Sequence, residues 1–343
     1  MYLRKNTRRI PDLLHLQLHD QQTLDYQAAF ITMKFFKTND NVTLKYIDTG
    51  TAGTDDVAKP WLILIHGFTG SSRAWQKNIP SLSKTYRVIA PDLRGHGASD
   101  KCKHGYQVMR LAMDLRELVL LLQGSDDQRP WRAIGGSLGC SILWAYASLF
   151  TTSPFSHTIF VDQAPLQNSD PASDWDHRFC NRGMNNPMAV SSLQTALALS
   201  PETAHKGTIA ACLSYRSHPL PTDEVTKSQH DEDESFFLTE AMKGDALWYG
   251  KLMADHTALD WRDAIRATYG SGSGSKTRVL VLASSRSGCF PADGPMAVVD
   301  LVNEEAEGNA KRASGLVADW GGHWMYWEDP EKFDKLCLDF LAT

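Results

Sequence analysis

The sequence predicts an α/β protein with a mostly parallel eight-stranded sheet, helices on both faces, and a helical insertion. Three observations carry this. Short apolar segments of strand length alternate with longer helical patterns, on both sides of a stretch without clear buried strands. One segment, Trp61-Leu62-Ile63-Leu64-Ile65, is apolar without a break, the pattern of a strand buried on both faces. Another runs from Ala133-Ile134 through Gly135-Gly136-Ser137-Leu138-Gly139 into an apolar helical segment, which reads as strand, very tight turn and helix.

Residues 1–28 read as an extension. Arg4, Lys5, Arg8 and Arg9 precede any acidic residue, and 13–16 is too short for a secretory apolar segment. A solvated basic arm on a cytoplasmic protein is expected. Residues 30–36 and 42–47 form strands joined at Asn39-Asp40-Asn41, a hairpin signal. A polar loop over 49–60 leads to the Trp61 strand, which ends in His66-Gly67-Phe68-Thr69-Gly70-Ser71-Ser72. A helix is expected over 73–83 and a strand over 86–90, running into the glycine loop 91–100. Over 107–122 the apolar residues Val108, Leu111, Ala112, Leu115, Leu118, Val119 and Leu122 keep helical spacing. After the serine turn, residues 158–161 make the next strand and end at Asp162.

The rhythm then changes. Residues 166–262 read as a helical cap between two parts of one core, 29–165 and 263–343. Helical patterns cover 189–199 and 203–215, and the acidic run Asp231-Glu232-Asp233-Glu234 reads as part of a solvated loop over 219–235. Residues 270–275 form a Ser/Gly linker. Alternation resumes with a strand over 278–283, a helix over 295–305, a strand over 315–320 and a final helix over 330–341.

Composition narrows the function. With 343 residues and 42% apolar side chains the chain can bury a large core. A net charge of −5 argues against a nucleic-acid partner, and no apolar run is long enough to span a membrane. The six cysteines show no C-x-x-C, and the close pair Cys102 and His104 has no second pair to complete a site. Neither a zinc site nor a disulfide framework is expected, and the thiols read as free.

In a parallel sheet the functional loops sit at the carboxyl ends of the strands. His66-Gly67-Phe68, Ser137, Asp162 and His323 all fall there. A serine hydroxyl is a weak nucleophile that needs a base, and the base needs a group to orient it. His323, which follows a strand through Gly321-Gly322, is the favoured base among twelve histidines. His66 and His96 read as loop-shaping residues.

Four segments occur in order: Ile65-His66-Gly67-Phe68-Thr69-Gly70-Ser71, Asp92-Leu93-Arg94-Gly95-His96-Gly97-Ala98-Ser99, Gly135-Gly136-Ser137-Leu138-Gly139 and Gly322-His323. Together they resemble the α/β-hydrolase superfamily in its capped form, over residues 30–343. The resemblance implies Ser137 as nucleophile, His323 as base, and the backbone N–H groups of Phe68 and Leu138 as the oxyanion hole. Asp92, Arg94 and Gly95 would brace the loop beside the site.

The acid departs from the common pattern. Ser287 occupies the slot after the penultimate strand where many family members carry Asp. Asp293, after Pro291, is one replacement, with helix N-capping as its competing role. Asp162 is the other and is favoured. Some branches keep their acid there, among them lactonases that open zearalenone. A serine at the elbow, where dehalogenases and epoxide hydrolases of the superfamily carry Asp, points to acyl transfer. Trp248, Tyr249, Met253 and Trp261, beside Met184 and Met188, are expected to form an apolar lid for a small-molecule substrate of apolar or aromatic character. No metal or organic cofactor is expected. Three activities remain open: a serine esterase or lactonase, a carbon–carbon bond hydrolase or cofactor-free lyase, and a ligand-binding protein with little turnover. The oligomeric state is left open.

Overall fold

The computed structural model describes residues 32–50, 54–124, 127–218, 227–306 and 311–343. The N-terminal extension, 1–28, and residues 219–226 of the expected polar loop lie outside these. Eight strands form one sheet: β1 Thr32–Lys37, β2 Thr43–Asp48, β3 Trp61–Ile65, β4 Arg87–Pro91, β5 Trp131–Gly136, β6 Phe155–Val161, β7 Arg278–Ser284 and β8 Ala313–Ala318. Their spatial order is β1-β2-β4-β3-β5-β6-β7-β8. β2 is antiparallel to both neighbours, and all the other pairs are parallel. The strand order reverses at β3, so the crevice for a ligand opens beyond its carboxyl end.

Helices cover both faces, because strands as apolar as β3 must be shielded on both sides. One face packs α1 Val108–Gln123 and α2 Leu138–Phe150. The other packs the C-terminal helix Pro330–Leu341 through Phe333, Cys337 and Leu341. Between β6 and β7 stand α3 Pro187–Leu199, α4 Pro201–Cys212, α5 Lys227–Ala241, α6 Ala246–Ala258 and α7 Arg262–Tyr269. α3 packs against α4 and α6, whereas α7 lies on α2 of the core.

Four segments differ from expectation. Residues 73–83 are a 3-10 turn, Ser72–Trp75, and a short helix, Ile79–Leu82, restarted at Pro80, whose ring supplies no N–H. The expected 203–215 helix ends at Cys212 because Leu213 is extended. The acidic run lies on α5, not in a loop. Asp233 is buried there and accepts from the Tyr215 hydroxyl at 3.0 Å, while Phe237 stacks on Trp324 at 3.9 Å. The Ser/Gly linker folds into the turn Ser271–Ser273, where Arg312 Nη2 donates to the Ser271 carbonyl at 2.7 Å.

Candidate active site

Ser137 sits between the last residue of β5 and the first of α2, with φ 52° and ψ −117°. A left-handed conformation at a non-glycine residue costs on the order of 1–3 kcal/mol. The turn is held by its neighbours: Ser137 N donates to the Val161 carbonyl at 3.0 Å and Cys140 N to the Ser137 carbonyl at 2.8 Å. The flanking glycines are required by contact. A Cβ on Gly135 would stand 2.6 Å from the Gly139 carbonyl carbon, and one on Gly139 would stand 2.4 Å from the Ile65 carbonyl oxygen. Strand and helix therefore pass too close for any side chain at either position.

Parallel register brings the other loops to the same edge. Ile65 pairs with Gly135, Gly136 with Val161, and Val161 with Leu282. Residues 66–68, 137, 162 and 287–289 thus leave the sheet side by side, and His323 arrives from the loop after β8. His323 Nδ1 donates to Asp162 Oδ2 at 2.7 Å, and both residues are buried. Asp162 has φ 48°. Its Oδ1 accepts from Ser284 N at 3.1 Å and its Oδ2 accepts from Ser287 Oγ at 2.6 Å. Ser287 Oγ in turn accepts from Cys289 N and Phe290 N, each at 3.1 Å. The serine in the usual acid slot therefore donates to the carboxylate that the histidine uses.

Asp293 is the first residue of the helix Asp293–Asn303. The N-cap is Ala292, so Asp293 does not cap this helix, and it makes no hydrogen bond or ion pair with His323, whose Nδ1 is taken by Asp162.

Burial disfavours charge on His323. The Cys289 sulfur and the Asp162 carboxylate outweigh burial and raise its pKa above the usual imidazole range. Cys289 moves the opposite way, lowered first by its contact with Cys212 and then, against burial, by His323. Ser137 Oγ faces Gln163, donating to Oε1 at 3.4 Å. Its contact with His323 would need rotation about the Cα–Cβ bond, a small motion of a kind common before substrate binds.

The loop after β3 carries Phe68 to the serine. A Cβ on Gly67 would meet Ser137 Cβ at 3.1 Å, so the two segments touch. Leu138 opens α2, and its N–H has no acceptor within the helix. His66 is buried; its Nδ1 donates to the Gly67 carbonyl at 2.8 Å and its Nε2 accepts from Leu93 N at 3.1 Å. Asp92 Oδ1 accepts from Ser72 N at 2.6 Å and Oδ2 from Ala98 N at 2.7 Å. These residues shape the loops around the serine.

A cavity of about 40 Å³ lies above the serine. It has room for two or three waters at roughly 10–15 Å³ each. Ser137, His323, Phe68, Met184, Met253, Phe290, Gln167, His256, Cys212 and Cys289 are among its walls. Of the six expected lid residues Met184 and Met253 line it. Trp248 is drawn away by Tyr106, 5.3 Å between rings, and by Lys251, which covers its face. Tyr249 is buried behind Phe68, at 5.5 Å, and beside His96 at 4.7 Å. Trp261 packs towards Trp144 under the helix layer. Large aromatic rings remove most apolar area from water when they join the main core, as Tyr249 and Trp261 do, with Trp248 half-buried against it.

Sequence reasoning did not single out Gln163, Gln167, His256, Cys212 or Cys289 as site residues. The two glutamines follow Asp162 closely, and that proximity was a usable signal. The other three come from separate loops and cap helices, and no motif marks them. Gln167 Nε2 and His256 Nδ1 are buried without a hydrogen-bond partner. Burial, ahead of the charge of His323, lowers the His256 pKa to about 3, so its ring is neutral.

Among the described residues no helix is long and apolar enough to cross a membrane. A segment of 58 residues is 47% identical to a soluble epoxide hydrolase of Corynebacterium sp. (strain C12), covering 17% of this chain and 20% of that protein. The chain thus spans about a fifth of that relative's length. In overall shape it is similar to an esterase from Exiguobacterium antarcticum, with TM-score 0.72, 16% identity, and 91% of this chain and 100% of that chain covered. It is likewise similar to the enol-lactonase from Burkholderia xenovorans LB400, with TM-score 0.70, 17% identity, and 90% and 100% covered. The model of the alpha/beta hydrolase fold matches residues 60–330, from β3 to the start of the C-terminal helix. Sheet order, serine turn and match agree, and the chain belongs to the alpha/beta hydrolase fold family.

Proposed function

We propose that the protein is a serine hydrolase that cleaves an ester or lactone of a small apolar or aromatic molecule through an acyl-enzyme. The observation that carries this reading is the 2.7 Å bond from His323 Nδ1 to buried Asp162, in the same cavity as a strained Ser137. Asp162 holds Nδ1, so that the neutral form of the ring, the one that acts as base, presents its Nε2 lone pair to the serine. Ser137 turns from Gln163 towards Nε2, loses its proton and attacks the carbonyl. The N–H groups of Phe68 and Leu138 receive the oxyanion, His323 protonates the leaving group, and water reverses the sequence. A hydroxyl at the elbow, in place of a carboxylate, favours acyl transfer over the opening of an epoxide.

The cavity walls suggest the substrate class. Phe68, Met184, Met253 and Phe290 call for an apolar body. Gln167 Nε2, buried and unsatisfied, calls for an acceptor on that body, such as a second oxygen. The cavity is too small for such a molecule as it stands, so the cap helices that supply Met253, His256 and Cys212 must move outward to admit it.

The test is labelling with a fluorophosphonate, followed by a panel of p-nitrophenyl esters and aromatic lactones. Labelling at Ser137 and hydrolysis of panel members are expected, with both lost in Ser137→Ala. A folded wild-type chain that neither labels nor turns over any member would overturn the proposal and leave a ligand-binding role.

A further inference from the structure

Two cysteines far apart in sequence meet at the candidate base. Cys212 is the last residue of α4, and Cys289 lies in the loop after β7, 77 residues further on. Their sulfurs are 3.7 Å apart. One sulfur from each and one ring nitrogen of His323 all lie within 4.8 Å of one another. All three residues line the cavity above Ser137.

This spacing suits a tetrahedral metal ion. Zinc holds thiolate sulfur at ~2.3 Å and imidazole nitrogen at ~2.0–2.1 Å, which separates two sulfurs by about 3.8 Å and a sulfur from a nitrogen by about 3.6 Å. The sulfur pair already stands at that distance. His323 Nδ1 is engaged with Asp162, which leaves Nε2 as the donor. A carboxylate behind a ligating histidine is the usual way such a ring is oriented and made more basic. Two sulfurs and an imidazole select soft or borderline cations over magnesium and calcium. Three protein ligands leave a fourth position, on the cavity side. Sequence spacing gave no sign of this set, because its members come from the cap, the β7 loop and the β8 loop.

We infer that Cys212, Cys289 and His323 form a binding site for a cation of the zinc class, and that its occupancy switches hydrolysis off by capturing the base. Binding releases two protons to solvent, one from the Cys212 thiol and one shared by the Cys289–His323 pair, and forms two metal–sulfur bonds and one metal–nitrogen bond. Nothing is oxidised or reduced. The metal joins the cap, through Cys212, to the core, through Cys289 and His323, so it also holds the cavity closed. The inhibitory half rests on the proposed hydrolase reading; the binding half does not.

The experiment uses the full chain, stripped with a chelator and kept reduced with a phosphine. Cobalt(II) is added first, because thiolate ligation gives a charge-transfer band in the near ultraviolet. The band is expected in wild type and in Ser137→Ala, and is expected to weaken in Cys212→Ser and Cys289→Ser. Zinc affinity is then measured by competition with a chromophoric chelator. One site per chain is expected, weakened ~10-fold or more in each cysteine variant. Cys289 is only half buried, so Cys289→Ser remains a folded test should Cys212→Ser unfold. Zinc should abolish ester hydrolysis by the wild type, a chelator should restore it, and each cysteine variant should resist zinc relative to its own metal-free rate. Zinc affinity unchanged in Cys289→Ser overturns the site. Tight binding that leaves the wild-type rate intact overturns the switch. If the chain hydrolyses nothing, the cobalt and competition arms still decide the binding site.

Discussion

Ser287 Oγ donates to Asp162 Oδ2 at 2.6 Å, the same oxygen that receives His323 Nδ1 at 2.7 Å. The two donors differ in consequence. The carboxylate orients the histidine and stabilises its charged form, while the serine only steadies the carboxylate. Asp162→Asn should lower kcat by about 10⁴ while leaving the fold intact, as loss of the orienting acid does in serine triads. Ser287→Ala should cost far less, roughly tenfold, and Asp293→Asn should be silent. Steady-state kinetics on one p-nitrophenyl ester orders the three. Full turnover in Asp162→Asn would remove Asp162 from the mechanism.

The strain at Ser137 sets activity against stability. Glycine adopts φ near 52° without penalty, so Ser137→Gly should raise stability by about 1 kcal/mol while abolishing turnover. Thermal melts of Ser137→Gly against Ser137→Ala isolate the backbone effect from loss of the hydroxyl. Equal melting temperatures in the two variants would count against strain at the turn.

Arg94 is fully buried and bridges two carboxylates. It donates to Asp114 at 2.9 Å and to Asp40 at 2.8 Å, tying the hairpin turn to α1. Arg110 also reaches Asp114 at 2.6 Å and Asp40 at 3.4 Å, so removing Arg94 leaves each carboxylate one cation short, at a cost below the ~3–5 kcal/mol of a stranded buried charge. Arg94→Leu should therefore unfold below the wild type in urea. A midpoint close to wild type would show that Arg110 alone holds the two carboxylates.

Burial, opposed by the bond from Asn78 Nδ2 at 2.8 Å, raises the Asp334 pKa to about 7. The folded value lies above the unfolded one, so the fold favours the protonated acid. Its contribution is fully present below about pH 4 and is lost as pH rises through about 7. Asp334→Asn keeps a neutral group at every pH. It should melt higher than wild type above pH ~8 and match it near pH ~4. A gain of the same size at both would show that the effect is not one of ionisation.

Much of the core was legible because its signals are local. A continuous apolar run such as Trp61–Ile65 is soluble in neither polar face of a half-exposed sheet, so it reads as central. The turn at Ser137 was legible because only glycine fits at 135 and 139. Helix α5 was not, because its acidic run looks like a solvated loop. It is held as a helix by partners distant in sequence, with Phe236 stacked on Trp327 at 4.5 Å and Glu240 paired to Arg73 at 2.8 Å. The aromatic lid was misread for the same reason, since Trp248, Tyr249 and Trp261 find better burial in the core than over a cavity.

The sequence by itself determined the strand and helix rhythm, the serine turn, and the placement of Asp162 and His323 at strand ends, because these follow from apolar periodicity and backbone sterics within a few residues. Only the tertiary structure decided what meets what. Parallel register across β6, β7 and β8 joined Asp162 to His323 and turned Ser287 into its second donor. The packing of α4 against the β7 loop set Cys212 beside Cys289. Such contacts depend on how distant segments share one buried space, and no pattern along the chain encodes that locally.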